Sequence, residues 1–128
     1  MRLGIDVREI EDGIHTGIGR PLANFLRYFA AQNNADTCVI FSTKEVPVQF
    51  GPRVKNVVIK EGWRQYWDQV RLPQAIKREK IELFYSPYYK LPLLASCPCV
   101  CAVLDLMYFI VPEYRLQLNV FSMLYYKT

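Results

Sequence analysis

Histidine is nearly missing from this chain: His15 is the only one among 128 residues. The four cysteines therefore have no histidine cluster to join, and a tetrahedral zinc site built from two ligand pairs is excluded. Cys97, Cys99 and Cys101 recur at every second position, and on a strand such residues sit about 6 to 7 Å apart, too far for an easy disulfide or a shared metal. They read as buried, reduced thiols, so no metal is expected, and reduced cysteines suit the cytoplasm. Long apolar runs are absent as well. No stretch approaches the roughly 18 residues of a membrane span, and Asp6 interrupts any secretory signal at the N-terminus. Charge is sparse, at 22% of residues with a formal net of +4. That balance is too small and too scattered for a nucleic-acid face, although it favours phosphorylated or anionic partners. No internal repeat or low-complexity segment is present.

What is there is the composition of one globular domain, 52% hydrophobic. Its organising stretch is the first 29 residues. Leu3, Ile5 and Val7 alternate in a short run that predicts a buried strand. A polar loop, Arg8 to Thr16, leads to Thr16-Gly17-Ile18-Gly19-Arg20 and then to a helical pattern. Pro21 suits the first turn of that helix, and Leu22, Phe25, Leu26 and Phe29 fall on one face. Strand, glycine turn and helix together can offer free backbone N–H groups and a positive dipole end to a phosphate. Two readings stay open: the turn binds an anion, or Gly17 and Gly19 only permit positive φ. A dinucleotide site is excluded. Leu22 stands where a third small residue is wanted, and Ser42-Thr43-Lys44 stands where the ribose-binding acid belongs.

Further strands are predicted at Thr37 to Phe41, Val54 to Lys60, Ile81 to Ser86 and Cys99 to Leu104. Residues 43 to 53 read as loop. Gly62 to Lys80 is helical in pattern, with Trp63, Trp67, Val70 and Ile76 recurring on one side. Pro73 should kink it or divide it into two short helices meeting at Leu72. Its basic residues, Arg64, Arg71, Lys77, Arg78 and Lys80, read first as a solvated face and second as an anion or peripheral membrane surface. Pro87 to Pro92 forms an aromatic loop. Pro112 to Thr128 reads as a last helix, apolar nearly all round, which should pack on another chain or on sequence beyond it. Alternating strands and helices imply an α/β fold, mostly parallel, with helices on both faces. Ligands of such sheets bind beyond the carboxyl ends of the strands, an edge that would gather Asp6, the Gly17-Gly19 turn, Ser86 to Tyr89, and Asp105.

The order of motifs carries a resemblance. Gly4-Ile5-Asp6-Val7-Arg8, Thr16-Gly17-Ile18-Gly19-Arg20, Trp67-Asp68-Gln69 with Leu72-Pro73, Tyr85-Ser86-Pro87-Tyr88-Tyr89-Lys90-Leu91-Pro92, Leu104-Asp105-Leu106 and Pro112-Glu113-Tyr114 follow one another along the whole chain. Together they resemble the N-terminal domain of retaining glycosyltransferases of the GT-B fold, the large family that includes mannosyl- and glucosyltransferases of polysaccharide synthesis.

The resemblance implies a Rossmann-like three-layer α/β/α domain spanning residues 1–128, the acceptor-side half of a cleft. Its counterpart would be a C-terminal domain holding the nucleotide-diphosphate sugar. It further implies that Gly17, Ile18, Gly19 and Arg20 approach the donor diphosphate. The acceptor would meet Asp6, Ser86, Tyr88, Tyr89 and Asp105. Family members carry a histidine where this chain has Leu104, which can neither move a proton nor bind a sugar hydroxyl. Asp105 remains as the catalytic candidate, with capping of the following turn as its other role; His15 reads as a surface residue. The family's paired glutamates, seven apart, have no counterpart here. The expected outcome is a cytoplasmic domain inactive alone, with a non-catalytic domain serving protein association as the alternative.

Overall fold

The computed structural model describes residues 1–60 and 62–104. The expectations placed on Asp105 and on the helix from Pro112 to Thr128 lie outside the described residues. Five strands form one sheet: β1 (Arg2–Asp6), β2 (Thr37–Ser42), β3 (Val54–Val58), β4 (Leu83–Ser86) and β5 (Cys99–Cys101). Their order is β3-β2-β1-β4-β5, and every described pairing is parallel. Register runs from Arg2 opposite Thr37 on one side of β1 to Leu3 opposite Leu83 on the other.

Parallel strands covered on both faces are apolar on both, and β2 shows it in four successive residues. Cys38 and Ile40 join the cluster that includes Leu22, Leu26 and Phe29 of helix α1 (Gly19–Ala31). Val39 and Phe41 join the opposite cluster with Trp67, Leu72 and Ile76. On β1 the second face is closed by Gly4. A Cβ there would stand 2.9 Å from Ile81 Cγ2, so the close packing of Ile81 on the sheet requires glycine.

Of the two readings left open for the N-terminal turn, the one that gives its glycines positive φ does not hold. Only Gly13 and Gly51 have it, at 108° and 101°. Gly19 is instead needed for space, since a Cβ would lie 3.0 Å from Thr16 Oγ1 and 3.2 Å from Ile10 Cγ2. Gly17 has nothing within 4 Å and is under no such demand. Phe25, expected on the buried face of α1, is 43% exposed. The far end of α1 is capped from a distance: Arg53 donates to the carbonyls of Phe29 (2.7 Å), Ala30 (3.0 Å) and Gln32. A guanidinium there satisfies orphan carbonyls and complements the negative dipole end.

The second helical region runs without a break through Pro73. Helix α2 (Arg64–Tyr66) passes into a π-helical turn (Trp67–Arg71) and then into α3 (Leu72–Arg78). Proline supplies no N–H to the preceding turn, and the wider π-turn accommodates that missing bond where a kink or two separate helices were expected. Trp63, which precedes α2 with an extended backbone (ψ 123°), is 75% exposed, while Trp67, four residues on, is 2% exposed. Among the described residues no helix is long and apolar enough to cross a membrane.

Candidate functional site

The chain reverses direction across the sheet between β1 and β4. From β1 the connection moves outward to β2 and β3, then returns to β4 and continues to β5. A crevice opens beyond the carboxyl ends of the strands at such a switch point. Asp6 is the last residue of β1 and Ser86 the last of β4, so both stand at its edge.

A cavity of about 290 Å³ occupies this position. It brings together Asp6, Ser86, Tyr88 and Tyr89, four of the five expected acceptor residues; the fifth, Asp105, is outside the described residues. The cavity also takes Arg8, Glu9, Arg64, Asp68 and Lys90, which the sequence did not single out as site residues.

Its floor is a buried array of charge. Arg8 donates to both carboxylate oxygens of Asp6, Nη2 to Oδ2 at 2.6 Å and Nε to Oδ1 at 3.1 Å. The same Nη2 lies 2.8 Å from Asp68 Oδ1. The Arg8 guanidinium stacks 4.0 Å above the Trp67 ring, whose indole N–H donates to the Ile59 carbonyl. Both carboxylates are almost fully buried, at 2% exposure for Asp6 and 5% for Asp68. Burial pushes the Asp6 carboxyl above its ordinary range, opposed by its hydrogen bonds to Arg8. Burial also works against the Arg8 charge, but Asp6 and Asp68 more than offset it and hold the guanidinium protonated. Two carboxylates around one cation leave the floor with a net negative charge, which suits hydroxyl donors.

The walls are held just as definitely. Ser86 Oγ accepts from the Tyr88 N–H at 3.2 Å, folding the loop back over the end of β4. Burial raises the Tyr88 phenol, reinforced by the charge of Asp6 and a hydrogen bond to Glu9, so it stays a neutral hydroxyl. Gln69 clamps the following segment, donating to the Leu91 carbonyl at 3.1 Å and accepting from the Leu93 N–H at 2.9 Å. The π-turn thus sends Trp67, Asp68 and Gln69 to three parts of one site. π-Turns inside helices are frequent at such places.

The glycine turn lies elsewhere. Gly17 and Ile18 line a second, apolar cavity of about 520 Å³, shared with Phe25, Tyr85, Val100 and Leu104. Gly19 donates its N–H to Thr16 Oγ1 at 2.8 Å, and Arg20 donates to the Thr16 carbonyl at 3.3 Å. Pro21 has no N–H, and that of Leu22 is bonded to Ile18. Of the turn's backbone donors, those of Gly19, Arg20 and Leu22 are therefore engaged within the chain. Arg20 and His15 are exposed.

Burial alone pushes the Cys38 thiol up to about 12 and is the main cause for Cys99, raised to about 11. No group of three or more His, Cys, Asp or Glu able to hold a metal occurs among the described residues. Compared with known proteins, the chain matches no family model, no curated protein and no solved structure.

Proposed function

We propose that the cleft between β1 and β4 binds the acceptor of a glycosyl transfer reaction. The chain would then be the acceptor-side, Rossmann-like domain of a retaining GT-B glycosyltransferase using a nucleotide-diphosphate sugar. One observation carries the reading: a buried, negatively charged Asp6-Arg8-Asp68 floor at the topological switch point, walled by the hydroxyls of Ser86 and Tyr88. Carboxylate oxygens accept hydroxyl protons, the Tyr88 phenol can donate, and the half-exposed Tyr89 ring offers a flat apolar surface to a sugar face. The order of motifs supplies the family.

In this reading the acceptor hydroxyl attacks the anomeric carbon of the donor, the bond from that carbon to the diphosphate breaks, and the hydroxyl proton passes to the departing diphosphate oxygen. This chain orients the acceptor. With the backbone donors of Gly19 and Arg20 engaged, its contribution to the donor diphosphate is the exposed Arg20 guanidinium. A donor-binding domain completes the cleft, so the 128 residues alone transfer no sugar. The setting is cytoplasmic, with peripheral membrane contact through the basic helix face if the acceptor is lipid-linked.

The test is an amide-shift titration of the ¹⁵N-labelled chain with mono- and disaccharides. Saturable shifts confined to Asp6, Ser86 and the 88–92 loop, lost in Asp6→Asn, are expected; uniform or absent shifts refute acceptor binding. The apolar cavity at Gly17 and Phe25 favours the second reading, a non-catalytic domain acting through protein association, and concentration-dependent sedimentation without saccharide binding would decide for it.

A further inference from the structure

A second polar cavity, of about 150 Å³, adjoins the main one, and Arg8 and Arg64 line both. Its other lining residues are Glu11, Thr43, Gly62 and Trp67. Ser86 ends β4, Asp6 ends β1 and Thr43 follows β2 directly. The two cavities therefore lie in line along the carboxyl ends of three adjacent strands, β4, β1 and β2, a width of about 10 Å at the usual strand spacing. Arg8 forms the step between them. Stacked 4.0 Å above Trp67, its side chain is only 19% exposed and lies low under a ligand crossing it. The far wall is a built polar contact: the N–H and the hydroxyl of Thr43 both donate to Glu11, the hydroxyl at 2.7 Å to Oε2. A threonine hydroxyl that donates still has lone pairs with which to accept, and the exposed Arg64 guanidinium supplies donors along the same side.

We infer that the acceptor is an oligosaccharide of at least three units, whose third sugar passes over Arg8 and sits against Glu11, Thr43 and Gly62. This rests on the acceptor reading above and deepens it by assigning a chain length. The main cavity, about 290 Å³, suits one or two sugar rings, and the adjoining one extends it by about half. Hydroxyl partners spread along three strand ends fit linked rings, each meeting its own set, better than one compact ligand.

Glucose, maltose and maltotriose, and the α-linked mannose series of the same lengths, are titrated into the ¹⁵N-labelled 128-residue chain. In at least one series the trisaccharide should bind about 10-fold more tightly than the disaccharide, the equivalent of one or two added hydrogen bonds. The third unit should also bring shifts at the amides of Thr43 and Gly62, beside those at Asp6 and Ser86. A Cβ at Gly62 meets nothing closer than Arg71 Nη1 at 4.0 Å, so Gly62→Leu is compatible with the fold and adds bulk to the lining of the smaller cavity. That variant should keep the melting midpoint and bring the trisaccharide-to-disaccharide ratio to about one. No gain from the third unit in any series that binds, a gain without shifts at Thr43 and Gly62, or a gain that survives Gly62→Leu overturns the inference and leaves the acceptor reading in place. If no saccharide of any length shifts Asp6 and Ser86, both readings fall.

Discussion

Removing the positive charge at the centre of the floor tests the most consequential feature of the fold. In Arg8→Met the carboxylates of Asp6 and Asp68, 3% and 7% exposed at their side chains, lose the cation that lies 2.6 and 2.8 Å away. Methionine keeps much of the volume over Trp67 but supplies no donor. Breaking a buried pair from one side costs about 3–5 kcal/mol, because the orphaned charge remains in a medium that solvates it badly. A domain of this size has about 5–15 kcal/mol in total. With a urea slope of about 2 kcal/mol per molar, the midpoint should fall by about 2 M at pH 7. The deficit should shrink on acidification. Burial already raises the Asp6 carboxyl, and without Arg8 it rises further, so the cost is full above its folded-state pKa and shrinks as pH falls from there toward the ordinary carboxyl value. Replacing all three charges, as Asp6→Asn, Arg8→Met and Asp68→Asn together, should recover most of the loss. Urea melts at pH 5 and pH 7 measure this. A loss under 1 kcal/mol for Arg8→Met, or one independent of pH, would refute the buried-array argument.

The other expectations follow from single contacts. Arg53→Ala removes the carbonyl donors at the end of α1 and the stacking on Phe29 at 5.5 Å, and should cost about 2 kcal/mol in a urea melt, with exchange quickening first at residues 29–36. Gly19→Val should destabilise by about 2 kcal/mol because its side chain meets Ile10 and the Glu9 carbonyl, whereas Gly17→Ala should leave the thermal midpoint unmoved. Glu79 is held below its usual 4.5 by a hydrogen bond from Lys55, aided by Arg2 despite burial. Its stabilising effect is therefore present above that value and lost as pH falls below it, so wild type and Glu79→Gln should differ at pH 7 and converge near pH 3.

The layout of the sheet could be read from the residues because apolar alternation and apolar runs report burial directly. Leu3, Ile5 and Val7 predicted β1, Thr37 to Phe41 predicted a second apolar strand, and Pro47, Gly51 and Pro52 predicted a loop over residues 43 to 53. Edges shifted where tertiary contacts decide: Ile81 is buried beside Gly4 without entering β4, and β5 ends at Cys101. The helix after Gly62 was harder. Counting by 3.6 placed Trp63 with Trp67, but Trp63 lies ahead of α2 with an extended backbone, and nothing local announces the π-turn that starts at Trp67. Of the site, the sequence found Asp6, Ser86, Tyr88 and Tyr89, since strand ends at a parallel edge are predictable. Arg8, Asp68 and Lys90 were missed as site residues. An arginine two residues beyond a strand-terminal aspartate is the signal that was available; its second partner, 60 residues away, becomes visible only in three dimensions.

Gln69 shows how the floor and the mouth of the cleft are joined, and it gives a prediction that separates local from global effects. Its amide bonds the 91–93 segment through Leu91 and Leu93, while its neighbour Asp68 faces Arg8. In Gln69→Ala two hydrogen bonds disappear and two backbone groups are left to solvent, a loss of about 1–2 kcal/mol. Tyr88 to Lys90 lie directly before the released segment, and the floor is untouched. Hydrogen exchange should therefore accelerate at residues 88–93 well before it does in β1 or α3. Uniform acceleration across the sheet would mean that the loop has no independent stability. An unchanged loop would mean that Ser86 and the aromatic packing hold it unaided, and that the π-turn matters to the site through Asp68 alone.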